Sequence, residues 1–163
     1  MKEINPMSVK NCCWIYHGSI IGDTDEIVDT DKCLSICESG KWLLFYDKNE
    51  LNNKWKIFKE LFDKKLLDGV MSMKCSTAYK NSRSSNDIDG VLILYCHGNE
   101  EQVMKISQNL VQYIIDDYKG NYIYYKTDDQ TFKGTIATGS KKNHTYKVDL
   151  MKYRILKYIV EKQ

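Results

Sequence analysis

The most constraining feature of the sequence is the stretch 40–67, GKWLLFYDKNELNNKWKIFKELFDKKLL. It opens with the apolar run Trp42-Leu43-Leu44-Phe45-Tyr46, whose length and aromatic content suit a buried strand. Asp47 follows as a helix N-cap, and Glu50, three residues on, predicts a capping box. Leu51, Trp55, Phe58, Phe62 and Leu66 then recur at the spacing of one α-helical face. Lys54, Lys56, Lys59, Glu60 and Lys64 mostly fall away from it. Burying Trp55, Phe58 and Phe62 is worth about 2–3 kcal/mol each. The simplest surface to receive them is the sheet that carries Trp42. A strand passing directly into such a helix predicts two layers, with any binding site on the far side of the sheet.

The bulk properties set few further limits. A chain of 163 residues is expected to form one domain spanning 1–163, with 1–11 loosely ordered. Its 42% hydrophobic and 28% charged content is that of a globular protein with a real core. A net charge of +2 makes no global demand for nucleic acid, so any basic site is local. There is no secretory signal at the N-terminus and no apolar run of spanning length, which predicts a cytoplasmic protein. Its six cysteines are then expected as free thiols. Cys33 and Cys37 are spaced loosely like metal ligands, but His17, His97 and His144 are scattered. This favours structural cysteines, with no metal and no cofactor.

Along the chain, 12–17 reads as a first strand, with Trp14 and Tyr16 on one face and Ile15 and His17 on the other. Residues 18–39 form a long, partly acidic connection, read either as a binding loop or as a solvated surface loop. In 70–78, Met71, Met73, Cys75 and Thr77 alternate with Ser72, Lys74 and Ser76, a strand with one apolar and one polar face. The apolar run 90–97 suits a strand buried on both faces. Asn99 then caps a helix with the stripe Val103, Ile106, Leu110, Tyr113 and Ile114. A strand follows at 121–127, with Tyr122, Tyr124 and Lys126 on one side, then a polar loop at 128–144 with a short strand near 135–137. A last strand at 145–148 leads to a helix, 150–162, capped by Asp149, with Tyr153, Leu156, Ile159 and Val160 among its apolar positions. The expected class is α+β, a mostly antiparallel sheet with helices on one face.

No phosphate-binding Gly-rich loop, dinucleotide fingerprint or Gly-x-Ser-x-Gly elbow is present. What alternation can gather is cationic. Lys74 lies on a polar strand face, Lys80 and Arg83 follow it, Lys126 ends a strand beside Tyr122 and Tyr124, and Lys133, Lys141 and Lys142 occupy a later loop. Such donors suit a phosphate chain, and the aromatic faces suit a base. Solvated edge lysines and packed tyrosines would give the same pattern.

Several motifs resemble the basophilic-leukaemia-expressed protein family. They are 14–16 (WIY), 40–45 (GKWLLF), 73–78 (MKCSTA) and above all 124–131 (YYKTDDQT) with Gly134. The resemblance covers residues 12–136 in order. It implies the fold of the translation initiation factor 4E cap-binding proteins, a curved antiparallel sheet with helices on its convex back. The 4E family is also similar at Gly40-Lys41-Trp42-Leu43, at the helix carrying Trp55, and at 138–143. By that resemblance two loop tryptophans would stack on a methylated guanine, a carboxylate would pair with its edge, and Arg/Lys would hold the triphosphate. The connection 18–39 contains no tryptophan, so Trp14, Tyr16, Tyr79 or Tyr46 would replace them, with Glu38 as the carboxylate. Lys74, Lys80, Arg83, Lys126 and Lys133 would hold phosphates.

The leading expectation is a non-enzymatic mRNA cap or nucleotide-binding module, partnered by capped RNA and by a translation-factor scaffold protein. No DNA or membrane partner is expected. One alternative, carried by bacterial relatives of the resembled family, is a phosphothreonine lyase. It would use Lys74 or Lys126 as base and His17, His97 or His144 as acid. Another is a protein-interaction module without ligand binding, docking through helix 150–162 unless that helix is packed.

Overall fold

The structure is a computed structural model that describes residues 3–18, 39–80, 87–128 and 144–161. After a 3-10 turn at Pro6–Ser8, the order is β1 (Trp14–Gly18), β2 (Ser39–Asp47), α1 (Lys48–Asp63), β3 (Val70–Ser76) and β4 (Asp89–His97). Then come α2 (Glu100–Ile114), β5 (Tyr122–Thr127), β6 (Tyr146–Asp149) and α3 (Leu150–Glu161). The described strands form one curved sheet in the order β1-β3-β4-β2-β5-β6, antiparallel throughout. The strand that opens the most constraining stretch of sequence, β2, is therefore one of the two central strands, beside β4.

Alternation sorts this sheet into two faces. Trp42, Leu44, Tyr46, Met73, Cys75, Leu92, Leu94, Ile123 and Tyr125 point rearwards and are buried. They meet Leu51, Trp55 and Phe58 of α1 and Val103, Ile106, Leu110 and Ile114 of α2. Gly40 permits the tight fit of β2 on β5. A Cβ there would stand 2.6 Å from the Lys126 carbonyl and 2.3 Å from the Tyr125 hydroxyl.

Several expectations shift in detail. The first strand is Trp14–Gly18, two residues later at its start than expected. Asp47 does cap α1, accepting from the Asn49 N–H at 2.8 Å, but Glu50 closes no capping box and instead pairs with Lys119 at 3.4 Å. The box forms on α2, where Asn99 and Gln102 exchange hydrogen bonds at 3.0 and 2.9 Å. Leu66 is exposed rather than buried, because α1 ends at Asp63 and Lys65 turns the chain with φ 58°. Lys54 is buried on α1, ion-paired to Asp117 and 5.5 Å from the Tyr46 ring. The largest difference is α3. Asp149 caps it and Leu150 is fully buried, yet Leu156 and Ile159 are 60% and 49% exposed, as are Ile155 and Tyr158 at 55% and 58%. Its first turns are held most firmly, and further along Lys157 pairs with Asp116. In the first turns Arg154 donates to the carbonyls of Ile115, Tyr118 and Gly120. Leu156 and Ile159 lack a packing surface among the described residues, so periodicity alone overstated the packing.

No described helix is long and apolar enough to cross a membrane. Cys12, Cys13, Cys75 and Cys96 are free thiols, and the described residues hold no metal-ligating cluster. Cys33 and Cys37 and the short strand expected near 135–137 lie outside the described residues.

Candidate functional site

The face opposite the helices is built by pairing register. Trp14 lies opposite Ser76 and Tyr16 opposite Lys74. Ser72 lies opposite Tyr95, Tyr95 opposite Lys41, and Lys41 opposite Lys126. Trp42 points into the helices, so Lys41, one residue earlier, must point forward. Three lysines, from β2, β3 and β5, thus share one face with Trp14, Tyr16 and Tyr95.

Among the described residues their immediate partners are few. The Lys74 ammonium lies 4.2 Å from the Trp14 ring centroid and 5.6 Å from that of Tyr95. Lys41 also lies 5.6 Å from the Tyr95 centroid and pairs with Asp128 at 3.1 Å. The other Asp128 oxygen accepts from the Ser39 hydroxyl at 2.7 Å. Lys41 is 9% exposed, and Leu43 and Ile93 on the same face are 8% and 6% exposed. The centre of the face is therefore shielded from water.

That shielding sets the electrostatics. Burial, and then the neighbouring Lys41 charge, pull the Lys74 amine below its ordinary value, while Asp128 pulls the other way. Lys126 is lowered by the same two causes, burial first. Burial, with help from Tyr16 and Asp128, pushes the Tyr95 phenol up to about 12. Partly desolvated cations that repel one another are stabilised by any anion placed among them. The site is suited to an oxyanion with several acceptor atoms, such as a phosphate chain.

Of the expected site residues, the structure brings Trp14, Tyr16, Lys74 and Lys126 to this face. Tyr79 and Lys80 are exposed in the connection beyond β3. The Tyr79 N–H donates to Thr77 Oγ1 at 3.2 Å. Glu38, Arg83 and Lys133 lie outside the described residues. Tyr46, the other aromatic considered, faces the helices with its ring edge-on to Tyr118 at 5.3 Å. His17 also faces rearwards, with Nε2 2.6 Å from Asp63 and its ring 5.4 Å from Phe62. His144 packs 4.9 Å from Tyr124.

Sequence reasoning missed Lys41, Tyr95 and Asp128. A signal for the first existed: extending β2 one residue before Trp42 puts Lys41 on the far face by alternation. Tyr95 sits inside a continuous apolar run, where nothing marks the forward positions. Asp128 follows β5 in phase with Lys126, but its pairing to Lys41 spans 87 residues and leaves no local trace.

The sequence matches no protein-family model and no curated protein. The resemblance to the basophilic-leukaemia-expressed family therefore has no family match behind it. Among solved structures, C. elegans eIF4E-3, in a complex with the 4E-binding protein Mextli and a cap analog, is similar with a TM-score of 0.54 and 16% identity. The match covers 80% of this chain and 71% of that one. At that identity the likeness shows the fold alone, and the fold of this chain is eIF4E-like.

Proposed function

We propose that this protein binds a phosphate-bearing nucleotide of the mRNA-cap type on the front of its sheet. The observation that carries this reading is the gathering of Lys41, Lys74 and Lys126 on one shielded face, with a single ion pair to them among the described residues, from Asp128. Trp14, Tyr16 and Tyr95 supply rings beside those cations. The similar solved structure was determined with a cap analog, which supports the ligand class. The test is a fluorescence titration with a methylated cap dinucleotide against its unmethylated counterpart. Saturable quenching that weakens with salt supports the reading, since each neutralised phosphate releases counterions. Absence of quenching at about millimolar ligand, a free energy near −4 kcal/mol, rejects it.

A second reading, a protein-interaction module, is favoured by the exposed apolar side chains of α3. The similar structure also contains a 4E-binding protein, and a scaffold protein of translation is the corresponding partner class. A third, the phosphothreonine lyase, is favoured only by the lowered amines of Lys74 and Lys126, the state a lysine base requires. An unchanged phosphothreonine peptide mass after long incubation removes it.

A further inference from the structure

Apolar side chains occupy two sides of α3. On the inner side Leu150 is fully buried, Tyr153 packs against the core, and Arg154 is tied to the carbonyls of Ile115, Tyr118 and Gly120. Met151, Ile155 and Ile159, at i, i+4 and i+8, form a ridge on the outer side, with Leu156 beside it. All four are 45% to 60% exposed. Arg154 reaches the Met151 sulfur at 3.8 Å, which orients that side chain without covering it. A helix that is apolar all round is a covered helix. Among the described positions of α3, Lys152 is the one charge that helical spacing places on this outer side.

The pattern fits a second copy of itself. Ridges at i±4 interdigitate with like ridges, the commonest way for two helices to pack. This ridge is centred on Ile155, with an apolar residue about one turn away on each side. A two-fold axis through Ile155 therefore lays one copy's Met151 toward the other's Ile159, and the assembly closes after two chains. In that antiparallel arrangement the two Lys152 side chains stand about 9 Å apart along the helices, near the screening length of physiological salt. An anionic membrane is the weaker fit, since such surfaces recruit clusters of about 4–8 cations and this side offers one. With Lys152 and Tyr158 at the rim, pairing removes roughly 1,000 Å² from water, the lower bound of specific interfaces. The pair is therefore weak, with a Kd of about 0.1 mM, and the chain is mostly single at micromolar concentration.

We propose that the outer side of α3 is a self-association surface on which a second copy packs its own α3, antiparallel and crossing at Ile155. It takes for a second copy the surface that the interaction-module reading gives to a scaffold protein. Arg154 anchors α3 to the chain leaving α2, on the helical side of the sheet. Pairing therefore leaves Lys41, Lys74 and Lys126 open and does not depend on what they bind.

Sedimentation equilibrium of the full chain from about 10 µM to about 1 mM reads the pairing. The weight-average mass is expected to rise from that of one chain towards that of two and to stop there. Ile155→Lys sets two charges at the axis and weakens association at least about tenfold. At this exposed position it leaves the melting temperature of the dilute chain nearly unchanged, which shows that the variant is folded. Orientation is read by charge exchange. Met151→Glu and Ile159→Lys each weaken self-association. Their equimolar mixture associates about threefold more tightly than either alone, because the new carboxylate of one copy faces the new ammonium of the other. A single-chain mass up to about 1 mM overturns the proposal and leaves the surface to a different protein. Masses that grow past two chains also overturn it, as do unchanged association in folded Ile155→Lys and a mixture no tighter than its components.

Discussion

The Lys74 ammonium stands 4.2 Å from the centre of the Trp14 ring, bridging β3 to the edge strand β1. A cation at that distance draws on the negative face of the indole. Trp14 is therefore a built-in reporter of whatever Lys74 binds. Lys74→Ala is expected to weaken a cap-type ligand about tenfold, within the range for a charged hydrogen bond. It should also lower the slope of log affinity against log salt by about one. Trp14 quenching should then saturate only at about tenfold higher ligand.

Asp128 is the carboxylate that accompanies these lysines, held by Lys41 at 3.1 Å and Ser39 at 2.7 Å. Asp128→Asn leaves Lys41 mostly buried without its countercharge, which costs about 2 kcal/mol of stability. The same change makes the face more positive. The variant should melt lower than the parent in chloride buffer and recover most of the loss in phosphate. Equal melting in the two salts would contradict an anion site here.

The lowered amines of Lys74 and Lys126 carry a definite pH sign. The unfolded chain keeps ordinary lysine values, so between the lowered values and 10.5 it holds more protons than the folded one. Stability from these groups therefore rises with pH across that window and is flat below it. An anion bound among them reverses the shift and draws protons in. Binding enthalpy should depend on the buffer's ionisation enthalpy within that window and not below it. Affinity should fall as pH rises through the window.

Gly40 lets β5 come close enough to set Lys126 beside Lys41. Gly40→Ala places a methyl against the Lys126 carbonyl and the Tyr125 hydroxyl. Overpacking of this kind costs about 1–3 kcal/mol. Ligand affinity should drop with stability, and denaturant melts with and without ligand check both.

Substitutions on α3 should divide sharply. Leu150 is fully buried, and Leu150→Ala should cost about 2–4 kcal/mol. Leu156→Glu, at a 60% exposed position, should change stability by less than about 0.5 kcal/mol. A large loss for the second would mean that this face is covered in solution.

Much of the scaffold was legible because local rules and tertiary packing agree there. The aromatic face of α1, the cap at Asn99 and the alternation in β3 each predict what they form. Alternation also placed Lys74 and Lys126 correctly in their own strands, but their common face depends on β2 and β4 lying between them. That order is a non-local property. Asp128 escaped for the same reason, since its role is set by a partner 87 residues away. The α3 stripe was misread because periodicity reports which residues could be buried, not whether a surface exists to receive them. Lys54 reversed the same logic: a charge on an apolar stripe became acceptable once Asp117 met it.

The first strand made is not the first that can settle. Trp14 aligns with Ser76, so β1 has no seat until β3 has been synthesised and joined to β4. Lys41 and Lys126 meet only when β5 reaches β2, across a longer stretch of sequence than separates Trp14 from Ser76. Neither half of the grip can therefore form locally. In a refolding experiment, the Trp14 signal and the ability to bind an anion should both appear late.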